Sequence, residues 1–260
     1  MIYSTIVRHY FVLLFFGLCS LGSHSEELSF GVVPQQAATA LATSWIPLLS
    51  EISKRSGVNI VFRTAPDIPT FEERLKKGEY DLAYMNPYHY VVFHQAPGYG
   101  AFAQEKGRQL VGIVVVRKDS TASSLKDLAG QKVAFPAPAA FAASILPRGE
   151  FSRQQIDINA YYVASHDSVY RGVVQGAFAG GGGIQRTLES MAPDIAGSLR
   201  VIATTPKYTP HAFAAHPRVT PETLNKIRAA MLSMEGDEEG RRLLAPLSFK
   251  GIVAGEDKNW

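Results

Sequence analysis

Strand-sized and helix-sized segments take turns along most of this 260-residue chain, and that order restricts the fold more than any single motif. Residues 28–33 form a β-prone run that stops at Pro34. The next segment puts Leu41, Trp45, Leu48, Leu49 and Ile52 on one helical face, with Pro47 inside it and Gly57 at its end. Residues 58–63 alternate as a strand, and Thr70 with Glu73 three residues later predicts a capping box for a short helix running to Lys77. Repeated strand–helix units imply parallel strands joined by right-handed crossovers.

The stretch Gly78-Glu79-Tyr80-Asp81-Leu82-Ala83-Tyr84-Met85-Asn86-Pro87-Tyr88-His89-Tyr90 continues the pattern. Gly78 suits the left-handed residue that closes a helix, residues 80–85 a strand, and Asn86-Pro87 the N-cap and first position of a new helix. In an open α/β sheet, ligands gather at the carboxyl ends of strands, where loops and helix N-termini converge. Tyr84, Asn86, Tyr88 and His89 are therefore candidate ligand contacts, with a surface turn of half-buried tyrosines as the alternative. Gln35 and Gln36 follow the first strand at the same kind of edge, where a solvated turn is the alternative.

Residues 110–117 are an unbroken apolar run, long enough for a strand buried on both faces or one passing between domains. The alternation then resumes. A capped helical turn at residues 124–130 is followed by a strand at 132–135, a helix at 141–150, a strand at 160–163 and a helix at 166–175. A further strand at 199–203 precedes Thr220-Pro221, which caps a helix with Leu224, Ile227 and Met231 inward. The expected organisation is a first half at residues 26–112, a second at 113–205, and a return to the first at 206–260. Gly180-Gly181-Gly182-Gly183 reads either as a mobile surface turn or as a place where backbone approaches a ligand, with Gly181 at its centre.

At the amino end, Arg8 and His9 precede an apolar stretch at residues 10–18, then the small residues Ser20, Gly22, Ser23 and Ser25. This is the pattern of a secretory signal peptide, and its apolar run is too short for a membrane span. Cleavage is expected before Glu26, with a cut after Gly22 as the alternative. The single cysteine, Cys19, leaves with the leader, so disulfide and thiol chemistry are excluded from the mature chain. Leu18 argues against a lipoprotein anchored through Cys19. A net charge of +3 without basic runs leaves no footprint for nucleic acid. Enzyme signatures such as G-x-S-x-G, H-E-x-x-H, a P-loop or G-x-G-x-x-G after a strand are missing, and the histidines at 89, 94, 166, 211 and 216 have no metal-ligand spacing.

Four stretches fall in a recognisable order: the opening Leu28-Ser29-Phe30-Gly31-Val32-Val33-Pro34, the Gly78 to Tyr84 segment, Ser124-Leu125-Lys126-Asp127-Leu128-Ala129-Gly130-Gln131-Lys132-Val133-Ala134-Phe135, and Ser165-His166-Asp167. Together they resemble the phosphate, phosphite and phosphonate substrate-binding proteins of ABC transporters. The resemblance implies an α/β, two-lobed type II periplasmic binding-protein fold, each lobe a mostly parallel sheet flanked by helices, with the ligand cleft between the lobes. It implies a periplasmic, monomeric, non-enzymatic protein without cofactor, which binds a small-molecule ligand and has an ABC permease as partner. A stand-alone sensor serving a membrane receptor or kinase is the alternative, and a metallohydrolase using His166 and Asp167 a further one.

The chain departs from that family's pattern at the ligand. Ala140-Phe141-Ala142 stand where a Ser-Thr-Ser run is expected, Ile68 and Met85 stand at tyrosine positions, and the second-lobe carboxylate position falls within the four glycines. What the resemblance leaves in the second lobe is His166, with Asp167, and the backbone N–H groups around Phe141. Helix-start amides hold an oxyanion without any hydroxyl, and a protonated His166 would attract it further. Without the resemblance, His166-Asp167 reads as an N-cap pair. Tyr208, Thr209 and His211 lie where the chain should cross back to the first lobe, with structural and ligand-facing readings both open. The ligand expected is an organic molecule with one anionic or polar end.

Overall fold

The computed structural model describes residues 27–260, so the leader at 10–18, Cys19 and the cleavage point before Glu26 lie outside the described residues. The first half begins with β1 (Leu28–Val32), α1 (Ala38–Ser56), β2 (Ile60–Arg63), α2 (Ile68–Lys76), β3 (Leu82–Met85), α3 (Pro87–Gln95) and β4 (Gly100–Glu105). The chain then crosses to β5 (Gly112–Arg117) and β6 (Lys132–Phe135), followed by a wide helical turn at Phe141–Ile145 that continues as α4 (Leu146–Arg153). β7 (Asn159–Tyr162), α5 (His166–Val174), β8 (Gly180–Ile184), α6 (Gln185–Glu189), α7 (Pro193–Gly197) and β9 (Leu199–Thr204) complete the second half. The return consists of β10 (Ala212–Ala215), α8 (Pro221–Ser233), α9 (Glu238–Leu244) and β11 (Ile252–Ala254).

Among the described residues the strands form two sheets, in the orders β11-β4-β10-β3-β1-β2 and β7-β6-β8-β5-β9. This is the two-lobed α/β architecture. The sheets are mixed, however, rather than mostly parallel. β1 pairs in parallel with β2 and β3, and β6 with β7 and β8, whereas β10, β4 and β11 pair antiparallel in one sheet and β5 pairs antiparallel with β8 and β9 in the other. β5 and β10 arrive straight from the other lobe rather than through a crossover helix, which removes the connection that would impose parallel direction. The 110–117 run is not one strand: Leu110 exchanges backbone hydrogen bonds with Tyr208, and β5 starts at Gly112. Those two paired segments are the crossing between lobes.

The first-lobe core is built on aromatic rings. Trp45 of α1 lies 5.7 Å from Phe30 and 4.9 Å from Tyr84, centroid to centroid, with Phe213 of β10 and Phe249 also against it. In the second lobe, Ile113 and Val115 of β5 face Val169 and Val173 of α5, while Val114 and Val116 share the opposite core with Phe135 and Phe151. A strand buried on both faces has to be apolar at every position, which accounts for the continuous Val and Ile run.

The predicted capping box at Thr70 and Glu73 is displaced by one turn. Asp67 is the N-cap of α2 and its side chain accepts from the Thr70 N–H at 2.8 Å, with Pro69 in the first turn. The Thr70 hydroxyl, and after it this N–H, hold the Asp67 carboxyl below its ordinary pKa. Asp67→Ala is expected to lower stability by about 1 kcal/mol, the usual worth of a cap, and Thr70→Ala by clearly less. Urea midpoints of both variants check this, and equal losses would restore the Thr70 cap.

The four glycines are neither a turn nor a ligand platform. They form the wholly buried strand β8, paired with β5 on one side and β6 on the other. A side chain at Gly181 would meet Val169 Cγ1 at 2.3 Å and Val173, so this residue packs under α5 and does not face the cleft. On the other face, a Cβ at Gly182 would lie 2.0 Å from the Ala143 carbonyl oxygen, and one at Gly112 would lie 2.1 Å from that of Ala142. The missing side chains let the helical turn at Phe141–Ile145 rest directly on the sheet backbone. Pro147 has no N–H to return to either Ala142 or Ala143, and the turn is widened there.

Candidate functional site

Carboxyl ends of strands from both sheets face each other across the interlobe cleft. From the first lobe come Val33 and Gln35 after β1 and Asn86 after β3. From the second come Ala140 to Ala143 after β6, His166 after β7, Ile184 at the end of β8 and Arg186 just beyond it. Gln35, Asn86, Ala140, Phe141, Ala142, His166 and His211 surround one small cavity, together with Ile68 and Ile184. Asn86 caps α3, accepting from the His89 N–H at 2.8 Å, while its Nδ2 donates to the Ala139 carbonyl across the cleft at 3.2 Å. Ser165, not His166-Asp167, supplies the N-cap of α5, accepting from the Ser168 N–H.

Several residues expected to hold a ligand instead hold the lobes together. The His166 N–H donates to the Gln35 carbonyl at 3.2 Å, Gln36 Nε2 to Ser190 Oγ at 2.7 Å, and the Ala37 N–H to Asp167 Oδ2 at 3.5 Å. Arg186 reaches from α6 into the first lobe, donating to Tyr84 Oη at 3.3 and 3.4 Å and to Gln35 Oε1 at 3.2 Å. The Tyr84 ring is buried and stacks on His211, 4.9 Å away and tilted by 17°. His211 Nε2 lies 3.1 Å from Gln35 Nε2. The central cavity measures about 10 Å³, at the lower limit for one water molecule, so a solute enters only if the lobes part.

Three other candidates lie elsewhere. Tyr88 is 43 % exposed on α3, away from the cavity. His89 is buried in the first lobe, its Nε2 2.9 Å from Glu72 Oε1 and its ring beside Phe71 and Phe93. Gly181 is in the β8 core.

Burial dominates the electrostatics. His166 is pushed down to about 3 by desolvation and then by the charge of Arg186, and its Nδ1 is 3.0 Å from Thr187 Oγ1. Burial, followed by Arg186, His89 and His166, also drives His211 well below its ordinary value. Both rings are neutral near pH 7, so an imidazolium at His166 is not there to attract an anion. What remains for an oxyanion in the cavity is the row of amides from Phe141 to Ala143, which open the helical run and have no intrahelical acceptor.

Arg186 was not singled out from the sequence. It is 16 % exposed, stands over the Phe249 ring at 5.6 Å and lies 3.6 Å from Glu105, which Arg108 approaches at 3.6 Å from the other side. A strand reading of the four glycines would have put Arg186 at a strand's carboxyl end, but glycine has low β-propensity and masks that position.

The family described as "ABC transporter, phosphonate, periplasmic substrate-binding protein" matches residues 30–260. The phosphate-import protein PhnD of Mycolicibacterium smegmatis is 24 % identical over 226 residues, covering 78 % of this chain and 70 % of that protein. The binding-protein component of an ABC phosphonate transporter from Pseudomonas aeruginosa superposes with a TM-score of 0.84 at 19 % identity, over 90 % of this chain and 83 % of that one. PhnD1 of Prochlorococcus marinus in complex with methylphosphonate gives 0.82 at 18 % identity, over 90 % and 94 %.

Proposed function

The chain belongs to the periplasmic substrate-binding proteins of phosphonate ABC transporters, and from that premise we propose that it captures a small organic solute with one anionic or polar end between its lobes and presents it to an ABC permease. The observation that carries this reading is the meeting of Gln35 and Asn86 with the uncommitted amides of Phe141 to Ala143 around one interlobe cavity. Such a site offers polar side chains and backbone donors to one part of the solute and an apolar wall of Val33, Ile68 and Ile184 to another. Export through the leader at residues 10–18 and action as a monomer complete the proposal. No helix among the described residues is long and apolar enough to cross a membrane.

Capture requires opening and closing about the paired segments at Leu110 and Tyr208, a hinge of the rigid-body kind. Small-angle scattering is expected to show a wider ligand-free particle that compacts on binding. A matching thermal-shift screen of phosphate, phosphite, phosphonates and small organic acids is expected to identify the solute, since a ligand at a hundred times its Kd stabilises the folded state by about 2.7 kcal/mol. Tight binding with an unchanged scattering profile would overturn hinge closure.

A further inference from the structure

Behind the central cavity, toward the crossing between lobes, lies a second chamber of about 110 Å³. Its polar lining is Glu105, Arg108, Gln109, Gln185, Arg186 and His211, with Leu110 and Ile184 among its apolar walls. The two guanidiniums are permanently charged. Glu105 is the single carboxylate lining the chamber, 3 % exposed, and each of its oxygens stands 3.6 Å from one arginine, Oε1 from Arg108 and Oε2 from Arg186. Those separations are too long for good hydrogen bonds, and neither arginine makes a bidentate pair with the carboxylate. Arg186 turns its remaining donors to the neutral oxygens of Tyr84 and Gln35, and Arg108 makes a 3.4 Å contact with the Ser248 carbonyl. His211, also on the wall, carries no charge near pH 7.

Two guanidiniums against one carboxylate leave an excess of one positive charge on the chamber wall, and the 3.6 Å spacings leave that carboxylate loosely paired to both. The chamber is also several times larger than the roughly 10–15 Å³ that one water needs. We infer that this chamber, and not the helix start at Phe141, seats the anionic end of the solute: a small oxyanion head, phosphonate or carboxylate, held by Arg108 and Arg186. The inference rests on the reading of the protein as an interlobe solute binder and gives that solute its head group. It also accounts for the hydroxyl-poor Ala140-Phe141-Ala142 segment. If guanidiniums carry the charge recognition, a run of hydroxyls at the helix start is not required, and an apolar Phe141 there suits the solute's other end.

The test is calorimetric titration of the mature protein with methylphosphonate, inorganic phosphate and acetate, each separately at constant ionic strength. Wild type is compared with Arg108→Gln and with Lys106→Gln, which removes an equal charge two residues away, from an exposed pair with Glu235. Arg108 is 31 % exposed at its side chain, so its replacement is expected to fold, checked by circular dichroism. Loss of one charge-assisted contact predicts binding about 10- to 100-fold weaker in Arg108→Gln and changed less than about twofold in Lys106→Gln. Preference for methylphosphonate and phosphate over acetate assigns a tetrahedral head, and the reverse a carboxylate. Equal weakening in both variants, unchanged binding in Arg108→Gln, or no binding of any probe to wild type overturns the arginine seat. The wider reading is judged apart from it: native mass spectrometry of protein purified from the periplasm detects a co-purified solute whatever its charge.

Discussion

Gly182→Ala is expected to destabilise the second lobe by about 3 kcal/mol or more, at or beyond the top of the range for overpacking. The added methyl group would lie 2.0 Å from the Ala143 carbonyl oxygen, with Phe135 ring carbons at 2.7 and 2.9 Å. A flexible side chain could move aside, but a carbonyl in the helical run cannot do so alone, and β8 is held by ladders on both edges. The helix start must therefore lift off the sheet, and with it the amides of Phe141 to Ala143. Gly149→Ala is the matched control. It lies within α4 with nothing inside 4 Å of the added atom, so it is expected to be stabilising by about 0.4–1 kcal/mol. Urea denaturation of the two variants checks the pair, and a Gly182→Ala midpoint at or above wild type would show that the helix does not rest on the strand as described.

Between pH 7 and 5 the protein is expected to lose several kcal/mol of stability. His166 keeps its neutral form in the native state down to about pH 3, and His211 is likewise held well below its ordinary value. The unfolded chain binds protons at both positions from about pH 6.5 downward. It therefore holds more protons than the native state throughout that window. Stability falls as pH falls, by about 1 kcal/mol per pH unit for each histidine at the steepest part. Glu105 and Asp167 act in the opposite sense, since burial raises both carboxyls above their ordinary values and protonation relieves them. Their contribution reduces the slope. His166→Gln and His211→Gln are each expected to remove about one proton from the dependence of the urea midpoint on pH. Slopes unchanged from wild type in both would mean that the buried rings are not what the acid attacks. Parting of the lobes also exposes His166, so scattering at pH 5 is expected to report a wider particle than at pH 7.

The elements legible in the sequence were those written in local chemistry. Asn86-Pro87, Thr220-Pro221 and Ser124 with Asp127 start helical segments where expected, with Gly57 and Gly176 in left-handed conformations just beyond two others. The five apolar residues placed on one face of α1 are the five that are buried. The strands that escaped notice, β4, β8, β10 and β11, include Ala- and Gly-rich runs such as Ala212-Phe213-Ala214-Ala215. Glycine and alanine carry little β-propensity of their own, and these strands exist because flanking strands pair with them.

The site divides along the same line. Gln35, Asn86, Ala140 to Ala142 and His166 come together around one cavity because each follows a strand in an open α/β sheet, and that edge can be read from element order alone. Whether a side chain at that edge turns to the cleft, the core or water is set by its neighbours. Thus Tyr88 faces outward and His89 inward to Glu72, although both stand in the same helical turn. The sequence by itself determined the alternation, the caps and the family to which they point. Only the tertiary structure decided that four glycines make a buried strand, that His166 and His211 are neutral, and that Arg108 and Arg186 share Glu105 beside a chamber. Caps and periodicities depend on residues within one turn of each other, whereas burial, ionisation and charge balance depend on segments that meet only when the lobes are assembled.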